Sequence, residues 1–192
     1  MKVGLYFGSF NPIHIGHLII ANQLVENSDL DQIWFVVTPH NPFKKKASLL
    51  DNYQRLEMVF LATKDYDKLQ PCDIEFNLPQ PNYTVNTLIH LKEKHPTHDF
   101  SIIMGEDNLK SFHKWKNYEV ILEDYQVYVY PRISEGIVET QFTNHPKISR
   151  VDAPIIELSS TMIRNSIKAH KNVKPLLSQE VWRYIDEMGF YE

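Results

Sequence analysis

The sequence predicts an α/β fold in which helices cover both faces of an open, mostly parallel sheet. Three observations support this prediction. Short apolar runs of strand length alternate with segments of helical periodicity along the 192 residues. A helix separates the first two apolar runs, which aligns their strands in parallel through a right-handed crossover. At two points a strand runs into a glycine-bearing turn that opens a helix, as at the ligand-binding carboxyl edge of such sheets.

Composition limits the class of protein. The formal net charge of −4 argues against a general nucleic-acid binder, because such a protein needs a basic face. The single cysteine, Cys72, excludes an internal disulfide and a cysteine-based zinc site. We expect a cytoplasmic protein without a membrane segment. We also expect one domain over residues 1–192, with residues 160–192 as a helical portion packed on it.

The first strand and the turn after it carry the strongest signal. The apolar run KVGLYF predicts a strand, and helical spacing begins after the sequence GSFNPIHIGH, residues 8–17. A helix start offers unpaired backbone N–H groups and the positive end of the helix dipole, which favour a phosphate. His14 and His17 flank that start and can point at one anion. Gly8 and Gly16 let the backbone approach the anion closely.

The same stretch resembles the signature of the HxGH nucleotidyltransferases, whose usual form is G-(G/S)-(T/S)-F-(D/N)-P-x-H-x-G-H. The motif is long and specific, since Gly, Pro and two His all fall at the family's offsets. The resemblance implies a Rossmann-like nucleotidyltransferase fold. It assigns Asn11 to the mononucleotide substrate. It assigns ATP contacts to the other turn residues, Gly8, Ser9, Phe10 and Gly16.

The second strand is predicted over Gln32–Thr38, parallel to the first. A proline-rich loop with three lysines follows at the same sheet edge, which favours phosphate contact; a solvated charge run is the alternative. The loop resembles the family's P-x-x-P-(H)-K segment, with Lys44 at the position of the family's lysine and therefore among the ATP contacts. Phe43 stands where many members carry histidine.

The next segment predicts a helix over Asp51–Ala62 with Asp51 as its N-cap. Within this helix Arg55 is expected to form a surface ion pair, with the nucleotide region as the alternative. The following residues have no clean period, although Cys72–Phe76 fits a short strand.

A further helix is predicted over Tyr83–Lys94, with Thr84 as a good N-cap residue. Its start, NYTVNT, also resembles the (S/N)-Y-T-x-(D/N)-T-L segment of the bacterial nicotinate-nucleotide adenylyltransferases. In that branch the threonine lies against nicotinate mononucleotide. The resemblance therefore assigns Tyr83 and Thr84 to the mononucleotide, and the N–H groups beside Thr84 would be available to a carboxylate.

Phe100–Met104 predicts the next strand, which again runs into a glycine turn and a helix. The segment GEDNLKSFHKWKNY resembles the family's G-x-D-x-(L/F)-x-x-(F/L)-x-x-W-(K/R)-(N/D). The resemblance places Gly105 and Asp107 with ATP and stacks Trp115 on the pyridine ring. The alternatives are a helix cap for Asp107 and core packing for Trp115.

Two more strands are predicted, Asp124–Tyr130 and the short Ile148–Val151. The first ends at a proline-arginine pair that the family commonly has, which makes Arg132 a phosphate contact on the mononucleotide side; the glycine that often follows it is missing here. A closing helix is predicted over Pro175–Met188. Its buried face consists of Val181, Trp182, Ile185 and Met188.

The second specific motif, LSSTMIR, resembles the family's I-S-S-T-x-I-R. Taken alone, it predicts a serine-capped helix with an exposed arginine. Paired with the first motif, it indicates a phosphate site, because the planar fork of Arg164 can fold back onto phosphate. Three hydroxyl-bearing residues at the helix start join the ATP contacts, Ser159, Ser160 and Thr161.

The resemblance covers nearly the whole chain in family order. It implies an adenylyltransferase that joins ATP to nicotinate mononucleotide, giving deamido-NAD and pyrophosphate. His14, His17 and Arg164 are then the catalytic phosphate ligands. Mg²⁺ is expected to arrive with ATP, since no carboxylate cluster suggests a metal site made by protein alone. A homo-oligomer is left open.

Alternatives of the same fold are adenylyltransferases for nicotinamide mononucleotide or pantetheine phosphate, and cytidylyltransferases. A non-catalytic nucleotide-binding module is the alternative from another class. An oxidoreductase is disfavoured because the first turn lacks G-x-G-x-x-G and carries histidines.

Overall fold

The computed structural model describes residues 1–39, 49–132 and 139–192. Its strands are β1 (Lys2–Gly8), β2 (Gln32–Val37), β3 (Leu69–Cys72), β4 (Asp99–Gly105), β5 (Gln126–Tyr130) and β6 (Ile148–Arg150). They form one sheet in the order β3-β2-β1-β4-β5-β6. Every pairing between these strands is parallel, which confirms the predicted sheet type.

Seven α-helices are seen in the described ranges: α1 (Ile15–Asn27), α2 (Asn52–Thr63), α3 (Thr84–Lys94), α4 (Glu106–Lys110), α5 (Tyr118–Asp124), α6 (Ser160–Lys168) and α7 (Gln179–Met188). Short 3₁₀ turns cover Ile74–Asn77, Phe112–Lys114 and Lys174–Leu176. None of the helices in this part of the chain is long and apolar enough to cross a membrane.

Side chains alternate across the sheet and build two cores. In β1, Val3 and Leu5 point to one face and Tyr6 to the other. Helices α1, α2, α6 and α7 cover the face that holds Tyr6, and α3, α4 and α5 cover the opposite face. Helices α6 and α7 thus share a core with α1 and α2. This packing is compatible with one domain over residues 1–192, which stays a prediction.

The strand order reverses beside β1. The chain moves from β1 outward to β2 and β3, then returns to β4 on the other side of β1. In open α/β sheets a crevice forms at the carboxyl ends of the strands at such a reversal. The turns that start α1 and α4 lie at these ends, since each follows β1 or β4 directly.

The strand predicted over Cys72–Phe76 is wrong. The strand is β3, which ends at Cys72, and a 3₁₀ turn follows. Ile74 and Glu75 are both buried, at 7% and 2% exposure.

Two predictions about helices are corrected, one about the start of α3 and one about the length of α4. Helix α3 begins at Thr84 itself, and Tyr83 is its N-cap, so Thr84 does not cap the helix. The helix predicted after Gly105 is short and is followed by a 3₁₀ turn. Sequence reasoning missed α5, which begins after Asn117 adopts a left-handed φ of 52°.

The closing helix α7 is capped by the Ser178 side chain, which accepts from the N–H of Val181 over 3.4 Å. Val181 and Ile185 are buried as predicted, and Trp182 is partly buried. Met188 is 50% exposed, so its predicted burial is wrong. The chain turns at Gly189, and Phe190 supplies the buried apolar side chain at this end instead.

Candidate active site

The two histidines of the first motif stack at the start of α1. His14 is the N-cap residue and His17 is the third residue of the helix, and their ring centroids are 3.7 Å apart. The backbone N–H of His14 donates to Nδ1 of His17 over 3.2 Å. Since Nδ1 accepts this bond, the neutral His17 ring carries its proton on Nε2. Nε2 is therefore the donor nitrogen of this ring.

His14 is held as a neutral imidazole. It is 5% exposed, and burial, with the charge of Arg132 as a second cause, lowers its pKa to about 4. Its Nδ1 has no hydrogen-bond partner among the described residues. A Cβ at Gly16 would lie 3.1 Å from that nitrogen, so the glycine lets the ring lie against the helix start.

Gly8 has a packing role. A Cβ there would lie 2.8 Å from the ring of Phe10. Phe10 is 2% exposed, adopts a left-handed φ of 44°, and meets the His17 ring edge-on at 5.2 Å between centroids. Its ring therefore supports His17 from the core, and only its backbone could contact ATP.

The first motif, residues 8–17, and the second motif, residues 158–164, lie in contact. Arg164 Nη1 donates to the backbone oxygen of Asn11 over 2.8 Å, and Ser160 Oγ donates to that of Pro12 over 2.8 Å. The start of α6 therefore lies beside the turn that leads into α1. Two helix N-termini, each the positive end of a dipole, are brought together with one guanidinium.

The start of α6 is ordered by its own hydroxyls. Ser159 is the N-cap, and its Oγ accepts from the N–H of Met162 over 3.2 Å. Thr161 Oγ1 accepts from Arg164 Nη2 over 3.3 Å. The hydroxyls of Ser159 and Thr161 are thus engaged in orienting the helix and the arginine.

Asn11 faces the protein. It is 3% exposed, and its Oδ1 accepts from the hydroxyl of Tyr191 over 2.7 Å and from the N–H of Leu50 over 3.4 Å. Its side chain therefore acts inside the fold, while its backbone oxygen holds Arg164.

Asp107 and Arg132 lie together at the ends of β4 and β5. Nη1 of Arg132 is 3.4 Å from Oδ2 of Asp107, and both side chains are about half exposed, at 47% and 54%. A Cβ at Gly105 would lie 2.6 Å from Oδ1 of Asp107 and 3.3 Å from Cδ of Arg132. The positive charge of Arg132 also contributes to the lowered pKa of His14.

Tyr83 and Trp115 lie on the face of the sheet that α3, α4 and α5 cover. Both pack, partly buried, against the core under α3 to α5. Lys116 Nζ lies 4.4 Å from the centroid of the Tyr83 ring, and Trp115 meets Phe112 edge-on at 5.2 Å. The first turn of α3, with Thr84 as its first residue, lies beside Tyr83 and has N–H groups without partners inside the helix.

Arg55 is a structural residue that sequence reasoning misplaced. It is fully buried, which lowers its pKa to about 10, so the predicted surface ion pair is wrong. Its guanidinium joins the loops after β1 and β2. The acceptors are the backbone oxygens of Ser9 (2.7 Å), Thr38 (2.8 Å), Leu50 (3.1 Å) and Pro39 (3.3 Å), and Oδ1 of Asn52 (2.7 Å).

Glu75 is a second residue that sequence reasoning missed. It is 2% exposed, and burial raises its pKa. Its Oε1 accepts from the Thr87 hydroxyl over 2.8 Å, and its backbone oxygen accepts from Asn82 Nδ2 over 3.1 Å. Asn82 precedes α3 and Thr87 lies in its first turn. The two bonds therefore fix the start of the helix and with it Tyr83.

Lys44 lies outside the described residues. Within residues 1–39, 49–132 and 139–192, no group of three or more His, Cys, Asp or Glu side chains could hold a metal ion. Arg164 and the N–H groups at the starts of α1 and α6 fit an anion, and the carboxylate of Asp107 beside Arg132 is the acidic group of this region.

Known proteins resemble this chain in sequence and in fold. The model of the cytidylyltransferase-like family matches residues 5–166. A Flavobacterium psychrophilum protein named as a probable nicotinate-nucleotide adenylyltransferase is 66% identical over 192 residues, with 100% of both chains covered. A Christiangramia forsetii protein of the same name is 68% identical over 191 residues, covering 100% of this chain and 98% of its own.

The fold is also that of a solved structure, a Plasmodium falciparum nicotinic acid mononucleotide adenylyltransferase complexed with NaAD. The TM-score is 0.82, with 99% of this chain and 97% of the other covered. At 20% identity this likeness concerns the fold alone.

Proposed function

The chain belongs to the nicotinate-nucleotide adenylyltransferases of the cytidylyltransferase-like family, and from this we propose that it transfers the adenylyl group of ATP to nicotinate mononucleotide. The products are deamido-NAD and pyrophosphate, and the reaction serves NAD synthesis. The observation that carries the proposal is the contact between Arg164 and the turn before the histidine pair, because it joins both motifs in one anion site.

The reaction needs positioning more than covalent catalysis. A phosphate oxygen of the mononucleotide attacks the α-phosphorus of ATP and forms a new P–O bond. The bond from that phosphorus to the oxygen bridging to the β-phosphate breaks, and pyrophosphate leaves with the electron pair. The attacking phosphate is already a dianion near neutral pH, so no general base is required. Phosphoryl transfer leaves a protein mainly orientation and charge stabilisation to supply.

Repulsion between the reactants is the main obstacle. Two like charges about 4 Å apart repel by about 4 kcal/mol at an effective dielectric of about 20. Arg164 and the starts of α1 and α6 offset this repulsion. His17 donates from Nε2, and His14 meets the phosphates as a neutral ring whose pKa rises when an anion binds. Holding both reactants in place contributes up to about 7–11 kcal/mol more.

ATP occupies the crevice between the starts of α1 and α6. Its contacts are the backbone from Gly8 to Phe10, Gly16 and the α6 start, with Gly105 and Asp107 at the adenosine end and Lys44 from the loop after β2. The N–H groups of this turn and the small residues beside it support that placement.

Nicotinate mononucleotide extends toward the other layer. Its phosphate lies near Arg132, and its pyridine ring stacks on Trp115 beside Tyr83. The backbone N–H groups at the start of α3, next to Thr84, donate to its carboxylate. Asn11 contributes by holding the turn between the two reactants.

Mg²⁺ travels with ATP in this proposal. The fit is supported by the donor set at the crevice, where guanidinium and N–H groups suit a polyphosphate that carries its own cation. When bound, the ion neutralises charge on the phosphates, and the protein residues orient them.

A pyrophosphate-release assay tests the proposal. ATP is paired in turn with nicotinate mononucleotide, nicotinamide mononucleotide and pantetheine phosphate, and CTP replaces ATP as a control. We expect turnover with ATP and the nicotinate compound at a kcat/KM well above that of the other pairs. Preference for the amide overturns the substrate assignment. ATP binding without turnover on any acceptor supports a non-catalytic nucleotide-binding module instead.

A further inference from the structure

The last turn of the chain reaches the phosphate-binding turn. Tyr191, the penultimate residue, donates its hydroxyl hydrogen to Oδ1 of Asn11 over 2.7 Å, across 180 residues of sequence. Burial raises the pKa of this tyrosine, and the charges of Arg164 and Arg55 partly oppose that rise. The positive charges of both guanidinium groups thus act on the Tyr191 hydroxyl.

Residues 189–191, here called the tail, are fixed in this position. Gly189 turns the chain with a φ of 61°, and Phe190 enters the core at 8% exposure. Tyr191 then adopts a φ of 71°, which is costly for a residue with a side chain. The Phe190 contacts and the Asn11 hydrogen bond hold Tyr191 in that conformation.

Asn11 connects this tail to Arg164. Its Oδ1 accepts from Tyr191 and Leu50, and its backbone oxygen accepts from Arg164 Nη1 over 2.8 Å. At 3% exposure the Asn11 amide has little access to water. Loss of the tyrosine hydroxyl therefore removes the shorter of these two hydrogen bonds to Oδ1, which loosens the Asn11 side chain and the backbone carbonyl that anchors the arginine.

We propose that Tyr191 is a positioning residue of the adenylyl transfer: its hydroxyl fixes Asn11, and Asn11 fixes the guanidinium of Arg164 for the phosphates. This inference rests on the proposed function. Tyr191 itself contacts Asn11 and makes no contact with the reacting atoms. Because Arg164 acts on charge that develops during transfer, misplacing it lowers kcat more than it raises KM.

The test replaces Tyr191 by phenylalanine, which keeps the ring and removes the hydroxyl. The matched control is Tyr184→Phe on α7. The Tyr184 ring also packs on Phe190, at 5.5 Å between centroids, and its hydroxyl bonds to no residue in the described part of the chain. We expect kcat of Tyr191→Phe to fall about tenfold, with KM for both substrates within about twofold and little change in Tm. Tyr184→Phe keeps wild-type kinetics.

A double-mutant cycle shows whether Tyr191 acts through the arginine. Arg164→Lys keeps the charge and removes the planar fork. We expect Tyr191→Phe to lower kcat by less than about twofold in the Arg164→Lys background, measured at enzyme concentrations that resolve slow turnover. Equal kinetics of Tyr191→Phe and Tyr184→Phe, or independent effects in the cycle, overturn the inference. Absence of wild-type turnover on every acceptor overturns the proposed function instead.

Discussion

The backbone N–H of His14 donates to Nδ1 of His17 while the two imidazoles stack at 3.7 Å. This relationship sets the tautomer of His17 and puts its ring N–H on Nε2, at the start of α1. A histidine held in this way suits binding of a phosphate oxygen. The same bond removes Nδ1 from proton transfer, in agreement with a reaction that needs no general base.

The first prediction concerns that donor. His17→Ala is expected to lower kcat about 100-fold, because one donor to the developing charge is lost. The free energy of unfolding should fall by only about 1 kcal/mol, from the ring contacts with Phe10 and Tyr6. Steady-state kinetics and urea unfolding measure the two effects, with the exposed His113→Ala as control. Near-wild-type turnover in a folded His17→Ala variant contradicts the assignment.

The second prediction concerns Gly105. Its alanine variant places a Cβ 2.6 Å from Oδ1 of Asp107, so the Asp107 carboxylate must shift from its present position beside Arg132. We expect KM for ATP or for the mononucleotide to rise about tenfold, with about 1–3 kcal/mol lost from the free energy of unfolding.

Gly4→Ala is the matched control for this variant. Its Cβ would meet Ile103 Cδ1 at 2.7 Å, in β1 and away from the crevice. It should cost similar stability and leave KM unchanged. If both glycine variants shift KM equally, the effect of Gly105→Ala does not come from Asp107 and Arg132 and the prediction is wrong.

Much of this architecture could be predicted because it follows from local patterns. Apolar runs predicted positions close to those observed for β1, β2, β4, β5 and β6, and the alternation of strands and helices predicted parallel pairing. Both specific motifs contain glycine, histidine or hydroxyl residues whose local chemistry suits a helix start. The resemblance predicted that the two motifs act on the same phosphates, and in the structure a hydrogen bond from Arg164 to the Asn11 carbonyl joins them.

The supporting residues were harder to find because their roles depend on distant parts of the chain. Tyr191 and Asn11 are 180 positions apart, and no local pattern links them. Glu75 is buried by a 3₁₀ turn where the periodicity was weak. Arg55 did leave a signal, since it shares the buried helical stripe of Met58, Val59 and Ala62. An arginine on that stripe indicates a buried, hydrogen-bonded guanidinium.

The third prediction uses the lowered pKa of His14. The unfolded chain protonates this imidazole near pH 6.5 and the folded chain only near pH 4. Between these values the unfolded state binds more protons, so the free energy of unfolding falls as the pH is lowered through this window. The loss contributed by His14 approaches about 3 kcal/mol at pH 4 and vanishes above about pH 7.

Urea unfolding of the wild type and of His14→Gln across pH 4 to 7 measures this contribution. Glutamine does not titrate, so the variant should lack the His14 part of the decline. Parallel curves for the two proteins would show that His14 titrates alike in the folded and unfolded chains.

The last prediction concerns Arg55, whose guanidinium donates to four backbone oxygens and one side-chain oxygen in loops that meet at the crevice. Arg55→Met fills similar space and leaves those acceptors without their donor. Because the site is fully buried, water cannot replace the donor without opening the loops. We expect a loss of about 3–5 kcal/mol in urea unfolding.

Arg183→Met, at an exposed position of α7, is the control and should change stability by less than about 0.5 kcal/mol. Arg55→Lys separates charge from geometry, because an ammonium keeps the charge but lacks the fork that reaches both loops at once. It should recover only part of the lost stability. If Arg55→Lys restores the full stability, a positive charge at this position is sufficient. The simultaneous hydrogen bonds of the guanidinium to Ser9 and Thr38 would then not be needed.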